Sequence, residues 1–155
     1  VDVKQEKMES ALKFGATHFL NFKDKQLKNK ILKILNNDEM HFSIDTVGKK
    51  NTMEFAYNIS SKFNGHVILC GVPNPLSLKI CIDPFPLYYG RSLTGTGGGE
   101  TIPDKDLNKY AKLYVKKIIK LDEMITHVVS LNEINKGIEL MKKGQCTRVL
   151  VDMNL

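Results

Sequence analysis

Two hydrophobic periods exchange places along the whole chain, strand-like runs followed by helix-like stretches, and this regular exchange constrains the fold most. Residues 4–14 have helical spacing, with Met8, Ala11 and Leu12 on one face and Gly15 as the left-handed cap. A short strand is predicted at 18–20. A second helix spans 26–36, its inner face drawn from Leu27, Ile31, Ile34 and Leu35. Residues 42–47 read as a strand that stops at Gly48. A helix over 51–60 follows, capped by Asn51 or Thr52 and burying Met53, Ala56 and Tyr57. Further strands are predicted at 66–70, at the edge from Leu78 to Ile82, and at 92–94. The helix after Pro103 turns Leu107, Tyr110, Ala111, Tyr114 and Ile118 inward. A capping box, Ser130 to Glu133, opens the last helix, with Leu131, Ile134, Ile138 and Met141 inward and Gly144 at its end; residues 148–151 close the chain as a strand. Such alternation marks an α/β protein, a doubly wound parallel sheet with helices on both faces. No repeat, low-complexity stretch or linker divides residues 1–155, which read as one domain.

In sheets of this kind ligands bind at the carboxyl ends of the strands. Those ends carry a consistent set here: Asp2, then Thr46-Val47-Gly48-Lys49, then Cys70-Gly71-Val72-Pro73, then Thr96-Gly97-Gly98-Gly99. Glycine lets a ligand approach the backbone closely. Each glycine taken alone serves a turn equally well; the recurrence at equivalent ends, with an acid at another, points to a nucleotide cleft. An acid closing a hydrophobic strand and followed at once by a helix matches the second half of a dinucleotide-binding unit, where a carboxylate accepts hydrogen bonds from the adenosine ribose of NAD. The glycine-rich turn expected about 20 residues earlier is missing, and so is the first strand, so the chain reads as starting in the middle of a Rossmann-like fold. The run from Thr94 to Gly99 lacks the Gly-Lys-Ser/Thr of a phosphate loop and reads as a flexible loop beside the reactive end of a cofactor.

Composition excludes several classes. A hydrophobic fraction of 42% argues against disorder, and no apolar run reaches the length of a membrane span. No signal peptide is read before the fold. The net charge of +6 comes almost wholly from lysine, Arg91 and Arg148 being the two arginines. Base and phosphate readers favour the arginine fork, and lysines such as Lys112, Lys116, Lys117 and Lys120 lie on polar helix faces, so nucleic acid is not an expected partner. Cys70, Cys81 and Cys146 form no C-x-x-C pair and read as buried small hydrophobes in a reducing, cytoplasmic setting. His18, His41, His66 and His127 read as structural, with His18 and His66 beside strand cores and His127 in a turn.

The strings Asp2-Val-Lys-Gln-Glu-Lys7, Ala11 to Asn21, Ile44-Asp-Thr-Val-Gly48 with Thr52-Met53, and Val67-Ile-Leu-Cys-Gly-Val-Pro73 resemble zinc-dependent alcohol dehydrogenases of the medium-chain superfamily. Gly90-Arg-Ser-Leu-Thr-Gly95, Leu121 to His127, Glu133-Ile-Asn135 and Gly144 to Val149 extend the likeness in collinear order over essentially the whole chain. The resemblance implies the C-terminal part of such an enzyme, beginning at the second strand of its coenzyme domain. Under it Asp2 holds the ribose hydroxyls and favours NAD over NADP, and Lys7 lies beside the same ribose. Val47 and Lys49 flank the adenine side, and Gly48 between them belongs to the same cofactor-binding set. Cys70, Gly71, Val72 and Thr96, Gly97 and Gly98 line the nicotinamide, with backbone groups bonding its carboxamide, and Arg148 reaches the pyrophosphate. No catalytic residue and no metal ligand is carried over: the zinc that polarises the alcohol is bound by a substrate domain N-terminal to this segment.

The resemblance implies an oxidoreductase that passes hydride between an alcohol or aldehyde and NAD, and a homodimer formed by pairing of the strand from Leu78 to Ile82. In the usual strand order the missing first strand lies between those ending at Asp2 and Val47, so two edges are left open. On that ground the chain alone is expected to be neither well folded nor active. Two alternatives remain: a zinc-free quinone or enoyl reductase of the same superfamily, and a non-catalytic nucleotide-binding or dimerisation module.

Overall fold

The computed structural model describes residues 1–36 and 38–155. The chain divides into two compact units, Val1–Thr101 and Ile102–Leu155. Helix α1 spans Met8–Lys13, preceded by a 3-10 turn at Gln5–Lys7, and α2 spans Leu27–Ile34. The α2 face is narrower than its pattern predicts: Leu27 and Ile31 are buried, whereas Ile34 is exposed.

The core of the first unit is a three-stranded parallel sheet, β1 (Phe42–Asp45), β2 (His66–Leu69) and β3 (Ser92–Gly95), in the order β1-β2-β3. Phe42 lies opposite His66, and His66 opposite Ser92, so all three strands end level with one another. Helix α3 (Lys50–Ile59) crosses between β1 and β2 and buries Met53, Ala56 and Tyr57, as its spacing predicts. Tyr57 and Val67 are fully buried at 0% exposure, with Leu69, Ile82 and Leu93 packed around them. Burial of an aromatic and a β-branched chain of this size stabilises by roughly 1.5–3 kcal/mol each. The Tyr57 hydroxyl donates to the Asp83 carbonyl at 2.6 Å. Buried Arg91 lies 4.6 Å from the Tyr57 ring centre and donates to the Ser60 and Ser61 carbonyls at 2.5 and 2.8 Å.

The predicted strand at 18–20 is reduced to one parallel bridge between Asp2 and Asn21. Asp2 donates its N–H to Leu20 and accepts from Phe22, which turns the backbone groups of Val1 and Val3 to the other side. On β1 the His41 and Asp45 carbonyls engage β2, which likewise turns Phe42 and Ile44 away from it. A cavity of about 680 Å³ separates these two edges, lined by Val1, Val3, Phe22, Phe42, Ile44 and Phe55 among others. Phe42 and Ile44 are 64% and 59% exposed. The sheet is thus incomplete where the strand order predicts a missing neighbour.

Residues 78–82 do not form the expected edge strand. Exposure alternates along them, with Leu78, Ile80 and Ile82 half-buried and Lys79 and Cys81 exposed, but no ladder partner exists among the described residues. A strand is defined by its partner, and periodicity alone does not supply one. The cysteines also depart from expectation: Cys70 and Cys81 are exposed and Cys146 is half-buried, because each lies outside a strand rather than within it.

In the second unit α4 spans Pro103–Val115, β4 Ile125–Ser130, α5 Ile134–Lys143 and β5 Arg148–Asp152. Strands β4 and β5 pair in parallel with α5 as their crossover. His127, expected in a turn, is within β4. Ser130 pairs with Asp152 and makes no side-chain cap bond; a 3-10 turn at Leu131–Glu133 precedes α5 instead of a capping box. Helix α3 likewise starts from Lys49 without a side-chain cap, and Thr52 turns its hydroxyl to the Lys49 carbonyl. Helix α5 meets the strands through Gly137, where an added Cβ would lie 3.0 Å from Val149 and 3.4 Å from Val129. Leu131, Ile134, Ile138 and Met141 remain exposed, and α4 buries none of Leu107, Tyr110, Ala111 and Tyr114; Ile118, just past its end, is exposed as well. Two strands offer too little surface to cover a full amphipathic stripe.

Candidate functional site

The level strand ends of the first unit gather most of the residues singled out by sequence. Asp2 is fixed by its backbone pairing with Leu20 and Phe22. Its Oδ1 accepts the Lys4 N–H at 2.9 Å, and its Oδ2 lies 3.6 Å from the Lys7 ammonium. Asp2 and Lys7 therefore lie side by side. Asp2, Val47 and Lys49 line the same cavity, Asp2 from one wall and Val47 with Lys49 from the other. An ionised carboxylate is acceptor-only, which suits a vicinal diol. Exposed Val47 offers an apolar face of the kind a base stacks on. These groups fit the adenosine half of a dinucleotide.

Beyond β1 the chain turns through Thr46 to Lys49, and beyond β2 through Cys70 to Pro73. The two turns touch backbone to backbone. A Cβ on Gly48 would lie 2.4 Å from the Val72 carbonyl oxygen, and one on Gly71 would lie 2.1 Å from the Gly48 nitrogen. Gly48 also has a positive φ of 76°. These two glycines serve each other's turn, where sequence reading assigned them to the approach of a ligand. Val72 is exposed on the far side of the contact.

The third strand end differs. Thr96 spends its N–H on the Leu69 carbonyl at 3.0 Å, so that donor is not open to a carboxamide as expected. Its hydroxyl accepts the Gly99 N–H at 2.7 Å and shapes the loop. Around Gly97 and Gly98 nothing lies within 4 Å of an added Cβ, and neither N–H has a partner among the described residues. Open backbone donors at this point fit the polar end of a nicotinamide. Arg148 opens β5 in the second unit, exposed, and is described there by itself.

Sequence reading missed Asp45. Its side chain is 4% exposed at the end of β1, where Oδ2 accepts the Gly48 N–H at 2.8 Å. The available signal is an Asp three residues before a turn glycine, a side chain mimicking a backbone turn. Arg91 was also passed over as one of two arginines, although it is buried in the core. Among the described residues no three His, Cys, Asp or Glu side chains converge as a metal site, so these residues do not fit a zinc ion.

A family model described as zinc-binding dehydrogenase matches residues 1–116. Alcohol dehydrogenase 1 of Cenchrus americanus is 33% identical over 154 residues, covering 99% of this chain and 40% of that protein. S-(hydroxymethyl)glutathione dehydrogenase of Paracoccus denitrificans is 33% identical over 159 residues, covering 97% of this chain and 42% of that protein. The chain thus spans about two fifths of the length of the relatives it matches. The crystal structure of benzyl alcohol dehydrogenase from Acinetobacter calcoaceticus superposes with a TM-score of 0.87 at 21% identity, over 97% of this chain and 41% of that one, a likeness of fold. Matched over three quarters of its length by the family model and collinear with these relatives, the chain belongs to the zinc-binding dehydrogenase family.

Proposed function

We propose that the chain supplies the coenzyme-binding part of an alcohol dehydrogenase that passes hydride between an alcohol or aldehyde and NAD. The observation that carries this reading is the pairing of the Asp2 carboxylate with Lys7 on one wall of the cavity that Val47 and Lys49 line from the other. A carboxylate there accepts from both ribose hydroxyls and repels a 2′-phosphate, which favours NAD over NADP. Gly97 and Gly98 offer open N–H groups to the nicotinamide end. Cys70, Gly71 and Val72 form the wall on the nicotinamide side. In such an enzyme zinc polarises the alcohol oxygen; the residues described here bind and orient the cofactor.

In the same reading the enzyme is a homodimer, two copies of residues 78–82 pairing as strands. Their alternating exposure without a ladder partner supports this, since an unpaired edge is a template for a second strand. No described helix is long and apolar enough to cross a membrane, and three free thiols suit the cytoplasm.

The test is to express the native gene product carrying residues 1–155, at whatever length it is made, and titrate it with NADH and NADPH. NADH is expected to bind at least about 100-fold more tightly, on the order of the penalty for leaving a like charge unpaired. Asp2→Ala should erase that preference. Equal affinity for both cofactors in the unaltered protein, or binding of neither, would refute the reading. Size in solution, with Ile80→Pro as the comparison, tests the dimer: a monomer in the unaltered protein sinks it.

A further inference from the structure

Asp45 joins the turn that follows it to the turn that begins at Cys70, 25 residues beyond Asp45 and adjacent in space. Its carboxylate accepts the Gly48 N–H at 2.8 Å. Its own carbonyl accepts both the Cys70 N–H at 2.7 Å and the Gly71 N–H at 2.9 Å. One residue therefore holds the turn after β1 by its side chain and the turn after β2 by its backbone. The missing Cβ atoms of Gly48 and Gly71 let the turns close on each other, with Val72 O and Gly48 N at the contact. Burying a carboxylate is costly unless charge-assisted hydrogen bonds offset the lost hydration. Asparagine accepts the same Gly48 bond without the charge, and nonpolar residues would fill a strand end without the bond. A buried acceptor placed here, in place of a nonpolar side chain, points to a requirement for a fixed turn.

We propose that Asp45 is a positioning residue for the cofactor: it locks the Thr46–Lys49 turn to the Cys70–Val72 turn, so that the adenine wall and the nicotinamide wall are held as one body. The proposal rests on the cofactor reading above and adds the residue that presets its geometry. In this view Asp45 need not touch the dinucleotide. It fixes in advance the spacing of the two walls that do, so ordering them is not left to the ligand.

Two measurements on the native gene product separate the parts. Amide hydrogen exchange is followed at Gly48, Cys70 and Gly71 without cofactor, and NADH affinity is measured by titration. In Asp45→Ala the Gly48 amide should exchange at least about tenfold faster, as expected for loss of one charge-assisted bond. Cys70 and Gly71, whose carbonyl acceptor is retained, should also accelerate by about threefold or more if the turns are coupled. NADH affinity should fall about tenfold at a temperature where the variant is folded. Asp45→Asn, which keeps the acceptor oxygen, should restore all three values to within about threefold. A role confined to stability would lower the unfolding midpoint in Asp45→Ala while leaving NADH affinity of the folded protein unchanged, and that result overturns the proposal. Acceleration at Gly48 alone, with Cys70 and Gly71 unchanged, overturns it as well. If the unaltered protein binds no NADH but the three amides respond together, the cofactor reading fails and the coupling of the turns stands.

Discussion

The glycines at the strand ends fall into two physical groups that look alike in sequence. Gly48 and Gly71 sit where another backbone already occupies the space a side chain would need. Gly97, Gly98 and Gly99 sit in open space, with nothing within 4 Å of an added Cβ. The crowded pair sets how closely two turns approach. In the open run the Gly97 and Gly98 backbone donors are left free, whereas the Gly99 N–H is held by the Thr96 hydroxyl. A glycine at a ligand end therefore carries two separate jobs, and only its neighbours in space distinguish them.

The sharpest way to break this contrast is Gly71→Ala. Its Cβ would meet the Gly48 nitrogen at 2.1 Å, with backbone on both sides, so neither partner can yield as a side chain does. The cost should reach roughly 3 kcal/mol, the upper end for overpacking, read as a lowered urea midpoint. Gly48→Ala combines a 2.4 Å contact with a positive φ and should cost roughly 2–3 kcal/mol. Because both substitutions open the same contact, their double variant should lose less than the sum of the two, by at least about 0.5 kcal/mol. Full additivity would show that the turns are independent.

Gly97→Ala examines the open group. Stability should stay within about 0.5 kcal/mol of the parent, as at a surface site. NADH affinity should nevertheless fall by about threefold or more, because a methyl group intrudes where the cofactor approaches. A loss of stability matching that of Gly71→Ala would erase the distinction between the groups.

The smallest expected effect concerns pH at the turn that follows the Asp2–Asn21 bridge. Asp24 follows the Asn21 bridge by three residues and accepts from the Lys30 ammonium at 2.5 Å and the Gln26 N–H at 2.8 Å. The Lys30 bond, then the Gln26 backbone bond, hold its carboxyl below the usual carboxylate range. A depressed folded-state value contributes stability that is present above the unfolded value and lost as pH falls through the folded one. Asp24→Asn should remove that acid-side loss while leaving the unfolding midpoint near neutrality little changed, since the pair is solvent-screened. A midpoint equally sensitive to acid in both proteins would remove Asp24 from the account.

The parts legible in sequence are those governed by short-range periodicity. Met53, Ala56 and Tyr57 could be placed in the core because α3 lies fully against a sheet and its apolar residues recur at helical spacing. That Asp2 and Lys7 are neighbours came from the family resemblance rather than from periodicity; in the fold their side chains meet across four intervening residues. The same reasoning misplaced the faces of α4 and α5, since a stripe states what a helix could bury and not how much surface is there to cover it. It read 78–82 as a strand from alternation, and the alternation is real, but the ladder is not among the described residues. It overlooked β4, whose Ile125–Ser130 run has a bulge between Ile125 and His127 that blurs the period of two. Buried cysteines were expected from apolar neighbours, but Cys70 lies one residue past the end of β2.

What the sequence by itself determined is the α/β alternation, the acid and glycines placed at strand ends, and through them the family. These follow from local spacing, which each segment carries within itself. Tertiary structure alone decided that Gly48 and Gly71 face each other, that Asp45 binds both turns, and that a cavity separates the Asp2 edge from β1. Each of those facts joins residues from separate strands, and their contact is set by the register and closeness of chain segments far apart in sequence.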